Sequence, residues 1–102
     1  DMLKVGGMWV SPAEVEAHLV QHPSVLEAGV VGREDGDGLT KVHAAVVLKN
    51  AGAASDALRE ELRQFVKAHA AGYKVPRWIE FVPDLPKTAT GKIQRFRLRA
   101  GA

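Results

Sequence analysis

Gly6-Gly7-Met8-Trp9-Val10-Ser11-Pro12-Ala13-Glu14 packs a turn, a strand and a helix start into one short stretch. Gly6-Gly7 can supply positive φ, and it lies between the apolar runs Met2–Val5 and Met8–Val10, so a β-hairpin is expected. Ser11 can cap a helix whose first position is Pro12, and Glu14 is spaced to reach back to the Ser11 amide in a capping box. Val15, Leu19 and Val20 are expected to form the buried stripe, with His22-Pro23 ending the helix.

Outward from there, Val25–Val31 and Lys41–Leu48 read as strands separated by the Gly/Asp-rich loop Arg33–Gly38. The unbroken apolar run Ala44–Leu48 predicts burial on both faces. After the small-residue connection Asn50–Ala54, Ser55 caps a second helix. Its Leu58, Leu62, Phe65, Val66 and His69 keep helical spacing, Asp56, Glu60 and Glu61 sit near its positive end, and Gly72 is a natural stop. Trp78–Val82 alternates as a third strand, and Pro83-Asp84-Leu85-Pro86 leaves Lys87–Gly91 as an exposed loop. Ile93, Phe96 and Leu98 could anchor either a short final helix or an extended tail. The expected fold is α+β: a small three-stranded sheet with packed helices plus an N-terminal β-hairpin.

The 102 residues suit one domain with one core. No apolar stretch approaches the roughly 20 residues that span a bilayer, and no signal-peptide pattern opens the chain, so no membrane partner is expected. The absence of Cys excludes disulfides and thiolate metal sites and fits a reducing compartment; a cytoplasmic location is expected. Asp1–Val5 enters a strand at once, which reads as a cut within a larger protein. Net charge is only +2 but uneven: no acidic residue follows Asp84, while Lys87, Lys92, Arg95, Arg97 and Arg99 crowd the end. Such a tail suits phosphate, nucleic acid or an acidic surface, or is simply solvated. A nucleic-acid role is disfavoured, because only Phe96 interleaves the tail cations and single-strand binders use several aromatics.

The most specific text is Leu85-Pro86-Lys87-Thr88-Ala89-Thr90-Gly91-Lys92-Ile93-Gln94-Arg95, a Pro-stiffened loop presenting a lysine beside a glycine. A loop lysine carries a compact charge on a long stem and can reach an oxyanion outside its own domain; the glycine permits close backbone approach. A phosphate-binding P-loop needs glycine where Pro86 stands and Ser or Thr where Ile93 stands, so that reading fails. A Gly-Lys pair alone would be an ordinary surface turn. His18 and His22 share helical spacing without a third ligand and read as a partly exposed helix end, and no metal site is expected; His43 and His69 read as packing residues.

The run from Leu85 to Arg95 closely resembles the last motif of the adenylate-forming superfamily, which includes acyl- and aryl-CoA ligases, firefly luciferase and nonribosomal peptide adenylation domains. Asp1 to Glu16 resembles the motif that follows that family's hinge, and Met2–Val5, Val10–Pro12 and Leu85–Arg99 are most similar to benzoate-CoA ligases and related enzymes. The resemblance implies that residues 1–102 are a mobile carboxy-terminal domain whose large amino-terminal partner domain holds most of the active site. It implies that Lys92 is catalytic, meeting the substrate carboxylate and the ATP α-phosphate as acyl-adenylate forms. Gly7 would border the tunnel for coenzyme A, and Tyr73, Lys74 and Arg77 would contact its nucleotide end. Asp1 would lie next to the hinge. ATP with Mg2+, coenzyme A and a carboxylic acid are the implied ligands. Lys92 is also the implied site of acetylation, with a lysine acetyltransferase or deacetylase as a partner.

Overall fold

Gly6 and Gly7 have φ of +56° and +82°, the two consecutive left-handed residues that the tightest hairpin turn requires. They join β1 (Leu3–Val5) to β2 (Met8–Val10) in the register Leu3↔Val10 and Val5↔Met8. So short a ladder cannot stand alone; burial of Val5 and Val10 in the common core holds it. The computed structural model describes residues 2–100, the side chains of 99 and 100 excepted, and Asp1 lies outside the described residues.

Ser11 caps α1 (Pro12–Val20), its hydroxyl accepting the Glu14 N–H at 3.2 Å, with Pro12 at the first helical position. The reciprocal half of the capping box does not form: both Glu14 carboxylate oxygens accept from Lys74 Nζ, at 2.9 and 3.0 Å. Val15 and Leu19 are fully buried, but Val20 is 45% exposed. One residue advances a helix by about 100°, which turns Val20 off the face that Val15 and Leu19 share.

β3 (Val25–Glu34) and β4 (Thr40–Leu48) pair antiparallel over nearly their whole length. β3 absorbs Arg33 and Glu34, expected in a loop, because the ladder continues to Glu34↔Thr40. The shortened loop is tied by Asp35 Oδ1, which accepts the N–H groups of Asp37 (2.8 Å) and Leu39 (3.0 Å). β5 (Trp78–Phe81) adds parallel to β4, giving the order β3-β4-β5. β4 is therefore central, which is why Val42 to Leu48 are buried without a break.

The parallel step needs a crossover, supplied by α2 (Asp56–Lys67). Ser55 caps it, accepting the Leu58 N–H at 3.0 Å, and Leu62 and Val66 are fully buried. α2 ends at Lys67, short of Gly72, which instead opens a separate 3-10 turn, Gly72–Lys74. His69 thus lies beyond the helix and exposed, outside the buried core, although its ring still packs on Phe65 with centroids 4.8 Å apart.

Side chains from the helices cap both edges of the sheet. Glu16 accepts the Val30 N–H of β3 at 2.8 Å. Arg59 Nε donates to Ile79 O (2.9 Å) and Arg63 Nη2 to Arg77 O (3.2 Å), so two arginines one turn apart satisfy alternate carbonyls at the β5 edge. Uncapped edges are templates for association.

The sheet is a middle layer. Ala28, Val30, Val42, Ala44, Val46 and Ile79 belong to the main core with Val15, Leu19, Leu62 and Val66 of the helices. Ala45 and Val47, on the opposite face of β4, pack against Leu85, Ile93 and Leu98. Gly29 permits this approach: a Cβ there would stand 2.7 Å from Leu98 Cδ1. The last segment is helical, α3 (Arg95–Ala100), and Phe96 does not anchor it, being 61% exposed.

Candidate functional site

Lys92 stands on a small hairpin that the chain closes upon itself. Lys87 and Ile93 form an antiparallel bridge. Beyond it the Thr88 N–H donates to Lys92 O (2.8 Å) and the Gly91 N–H to Thr88 O (2.9 Å), leaving Ala89-Thr90-Gly91 as a three-residue loop. Gly91 has φ +87°, the left-handed value that the third residue of such a loop adopts. The glycine beside the lysine is thus explained by the backbone before any ligand is invoked. The Thr88 hydroxyl also accepts the Lys92 N–H at 3.1 Å.

The root of this hairpin is anchored while its lysine is free. Gln94 N–H donates to Pro86 O at 2.8 Å. Lys87 Nζ lies 2.6 Å from Glu27 Oε1, and this hydrogen bond pushes the ammonium's pKa above the ordinary lysine value. Arg95 pairs with Glu16, and Arg97 donates to Gln94 Oε1 at 3.2 Å. Lys92 is exposed, and its Nζ meets no acceptor among the described residues. Among the described side chains of the basic tail, Lys87 and Arg95 are thus paired with carboxylates and Arg97 with Gln94, while Lys92 is left exposed.

A second cluster forms where the first hairpin meets the Gly72–Lys74 turn. Tyr73 and Arg77 line an open groove of about 440 Å³ with Gly6, Met8, Lys41 and Arg63, and no carboxylate among the described residues lines it. Three cations, one phenol ring and the apolar side chains of Val5, Val42 and Val75 suit a ligand that is both anionic and partly aromatic. Arg63 also braces the wall, donating to Pro76 O at 3.3 Å and Arg77 O at 3.2 Å. Gly7 sits beside this groove at the exposed hairpin tip. A Cβ there would meet nothing within 4 Å, so within the domain only its φ requires glycine.

Lys74 does not line the groove with Tyr73 and Arg77, although its ammonium lies 5.9 Å from the centre of the Tyr73 ring. Its ammonium is turned to Glu14, which raises the Lys74 pKa, while Lys74 holds the Glu14 carboxyl below the usual range. Lys41 and Arg63 take its place in the groove. They come from separate elements, β4 and α2, and no local pattern marks them.

Two histidines are built into the fold. His22, expected at a partly exposed helix end, is only 5% exposed; its Nδ1 accepts the Ser24 N–H at 3.1 Å and its Nε2 lies 2.5 Å from Glu61. His43 is buried, with Nε2 3.3 Å from Glu80 Oε1 and no partner for Nδ1. Burial, then the nearby Arg33 charge, lowers the His43 pKa below 6.5, with Glu80 opposing. The unfolded chain therefore takes up this proton first as pH falls. Stability should decline from about pH 6.5 downward, whereas Glu14, Asp35 and Glu60, all held low, matter only below about 4.5. Urea denaturation at pH 7 and pH 5 should show this loss, and His43→Leu should flatten it; an unchanged slope in the variant would exclude His43 as the source.

A family model described as the AMP-binding enzyme C-terminal domain matches residues 14–92. The chain belongs to this family. The benzoate–CoA ligase of Thauera aromatica is 62% identical over 100 residues, covering 98% of this chain and 19% of the relative. The 4-hydroxybenzoate–CoA/benzoate–CoA ligase of Rhodopseudomonas palustris is 49% identical over 100 residues, covering 97% and 19%. The crystal structure of the anthranilate CoA ligase AuaEII in complex with anthranoyl-AMP aligns with a TM-score of 0.94 at 55% identity, covering 100% of this chain and 20% of that one. The chain thus spans about a fifth of the length of the curated relatives it matches. As an AMP-binding enzyme C-terminal domain it carries both clusters, the Lys92 hairpin and the Tyr73–Arg77 groove, on one folded unit. No helix of its described residues is long and apolar enough to cross a membrane.

Proposed function

We propose that residues 1–102 are the mobile carboxy-terminal domain of a cytoplasmic, ATP-dependent carboxylate–CoA ligase acting on an aromatic acid such as benzoate. The reaction runs in two steps. Acid and ATP give acyl-AMP and pyrophosphate; coenzyme A then displaces AMP to give acyl-CoA. The observation that carries this reading is the unpartnered Lys92 ammonium on an anchored hairpin, in a domain whose relatives include ligases of benzoate and 4-hydroxybenzoate.

In the first step two anions must meet, the carboxylate and the α-phosphate. Lys92 lowers their repulsion and stabilises the charge that develops between them. Mg2+ accompanies ATP and neutralises charge on its phosphates. ATP, acid and most of coenzyme A are held by a large amino-terminal domain, with Asp1 next to the hinge. Rotation about that hinge then withdraws Lys92 and brings Gly7 to the thiol tunnel, with Tyr73 and Arg77 at the nucleotide end. The groove's three cations support the nucleotide contact. Lys74, paired with Glu14 in the free domain and 5.9 Å from the Tyr73 ring, would join them by turning its ammonium from Glu14 to the ligand. Acetylation of Lys92 by a lysine acetyltransferase would remove the charge that the first step needs, and a deacetylase would restore it.

The test uses the full-length protein that carries this domain. Supplied with ATP, Mg2+, coenzyme A and benzoate, it should form benzoyl-CoA and AMP, while the purified domain alone should form none. Failure of the full-length protein to form a thioester from any aryl or alkyl acid would refute the assignment.

A further inference from the structure

We infer that Glu16 positions Lys92 for acid activation, acting through Arg95; the inference rests on the role given to Lys92 above. Glu16 lies on α1, and Arg95 opens α3 three residues after Lys92. The Arg95 guanidinium meets the carboxylate with two nitrogens, Nε at 3.0 Å from Oε2 and Nη2 at 2.5 Å from Oε1. Oε2 also accepts the Val30 N–H from the β3 edge at 2.8 Å. One carboxylate thus ties together a helix, a strand edge and the segment that carries Lys92.

Burial makes this tie geometrically strict. The Glu16 side chain is only 13% exposed and that of Arg95 26%, so leaving either charge without its partner is costly. The two-pronged contact fixes the plane of the guanidinium as well as its distance. Glu27 and Lys87, the other anchor of the hairpin, make a single contact between more exposed side chains. The apolar trio Leu85, Ile93 and Leu98 sets the depth of the segment on the sheet but permits sliding, since apolar contact is non-directional. Glu16–Arg95 is the directional restraint, and it sits at the end of the segment nearest Lys92 in sequence. Misplacement of a reacting group by about 1 Å can lower a rate on the order of 100-fold.

Glutamine at position 16 still offers an oxygen to Val30 but cannot present two anionic oxygens to the guanidinium. In the full-length protein, Glu16→Gln should lower kcat for acyl-adenylate formation, read by pyrophosphate–ATP exchange, by about 10- to 100-fold. KM for ATP and acid should stay within about twofold, as should thioester formation from supplied acyl-adenylate. Arg95→Gln should match it, and the double variant should be no worse than either single one, because the two side chains act as a unit. Should Glu16→Gln fold poorly in a melting curve, Arg95→Lys, which keeps the charge and loses the fork, should show the same split at smaller size. Equal losses in both half-reactions, full activity, or additive effects in the double variant would each overturn the inference. Lys92→Ala separates the two levels. If it too spares adenylation, the role of Lys92 has failed; if it is selective and Glu16→Gln is not, only the positioning role falls.

Discussion

Replacing Lys92 by alanine in the full-length protein should slow acyl-adenylate formation by about 10²- to 10³-fold, the usual cost of losing one preorganised donor at a developing oxyanion. The ammonium meets no acceptor among the described residues, so its removal breaks no contact recorded there. The melting curve of the domain should therefore hold, with a stability change within about 0.5 kcal/mol, as for other surface substitutions. Thioester formation from supplied acyl-adenylate should persist if, as proposed, the rotation that precedes it withdraws Lys92. Lys92→Gln, which copies the charge loss of acetylation, should behave like alanine; Lys92→Arg keeps charge but has a different reach and geometry, and should fall between. Pyrophosphate–ATP exchange and thiol transfer, measured separately, decide the matter. Equal losses in both would remove Lys92 from the first step.

Leu62→Ala should produce the largest stability loss, about 2–5 kcal/mol in urea denaturation of the domain. Leu62 is 0% exposed and, with Val66, is one of two fully buried residues of α2; most of the rest of that helix is charged or polar. A cavity under it weakens the seat of the whole helix. Against a typical total of about 5–15 kcal/mol, such a loss threatens folding at moderate temperature. It also carries a secondary effect, since α2 delivers Arg59 and Arg63 to the β5 edge. A loosened α2 uncovers that edge, so the variant should aggregate sooner than Leu62→Met, which conserves volume. A loss below about 1 kcal/mol would mean that α2 is not seated through Leu62.

These two residues stand at opposite ends of what sequence reasoning can reach. Leu62 is legible because a helix repeats every 3.6 residues, so Leu58, Leu62 and Val66 announce a face without any tertiary knowledge. Lys92 is legible only through the wording around it, since a lone Gly-Lys pair says no more than turn. The hairpin, both capping serines, the three strands and the α+β class are local matters of turn chemistry and periodicity, and they appear in the structure as expected.

The misses share one cause. Val20 and His69 follow apolar or helical patterns, yet the helix phase turns the first outward and the early end of α2 strands the second. Glu14 fits a capping box, but a lysine 60 residues away offers a stronger, charged partner. Which cations line the groove is equally non-local: Lys74 turns to Glu14, while Lys41 and Arg63 come in from β4 and α2. Glu16 and Arg95, 79 residues apart, carry no mutual signal in a single sequence. Charged partners are chosen by proximity after the chain has packed, and proximity is not a property of local spacing.

By itself, then, the sequence determined the hairpin, the first two helices, the three strands, their class and the loop beside Lys92, because turns, caps and periodicity act over a few residues. The tertiary structure alone decided what holds that lysine in place and which cations face the groove. Packing three layers brings residues from both ends of the chain within hydrogen-bond reach, and the partly buried carboxylate of Glu16 then accepts both the strand-edge N–H of Val30 and the guanidinium of Arg95.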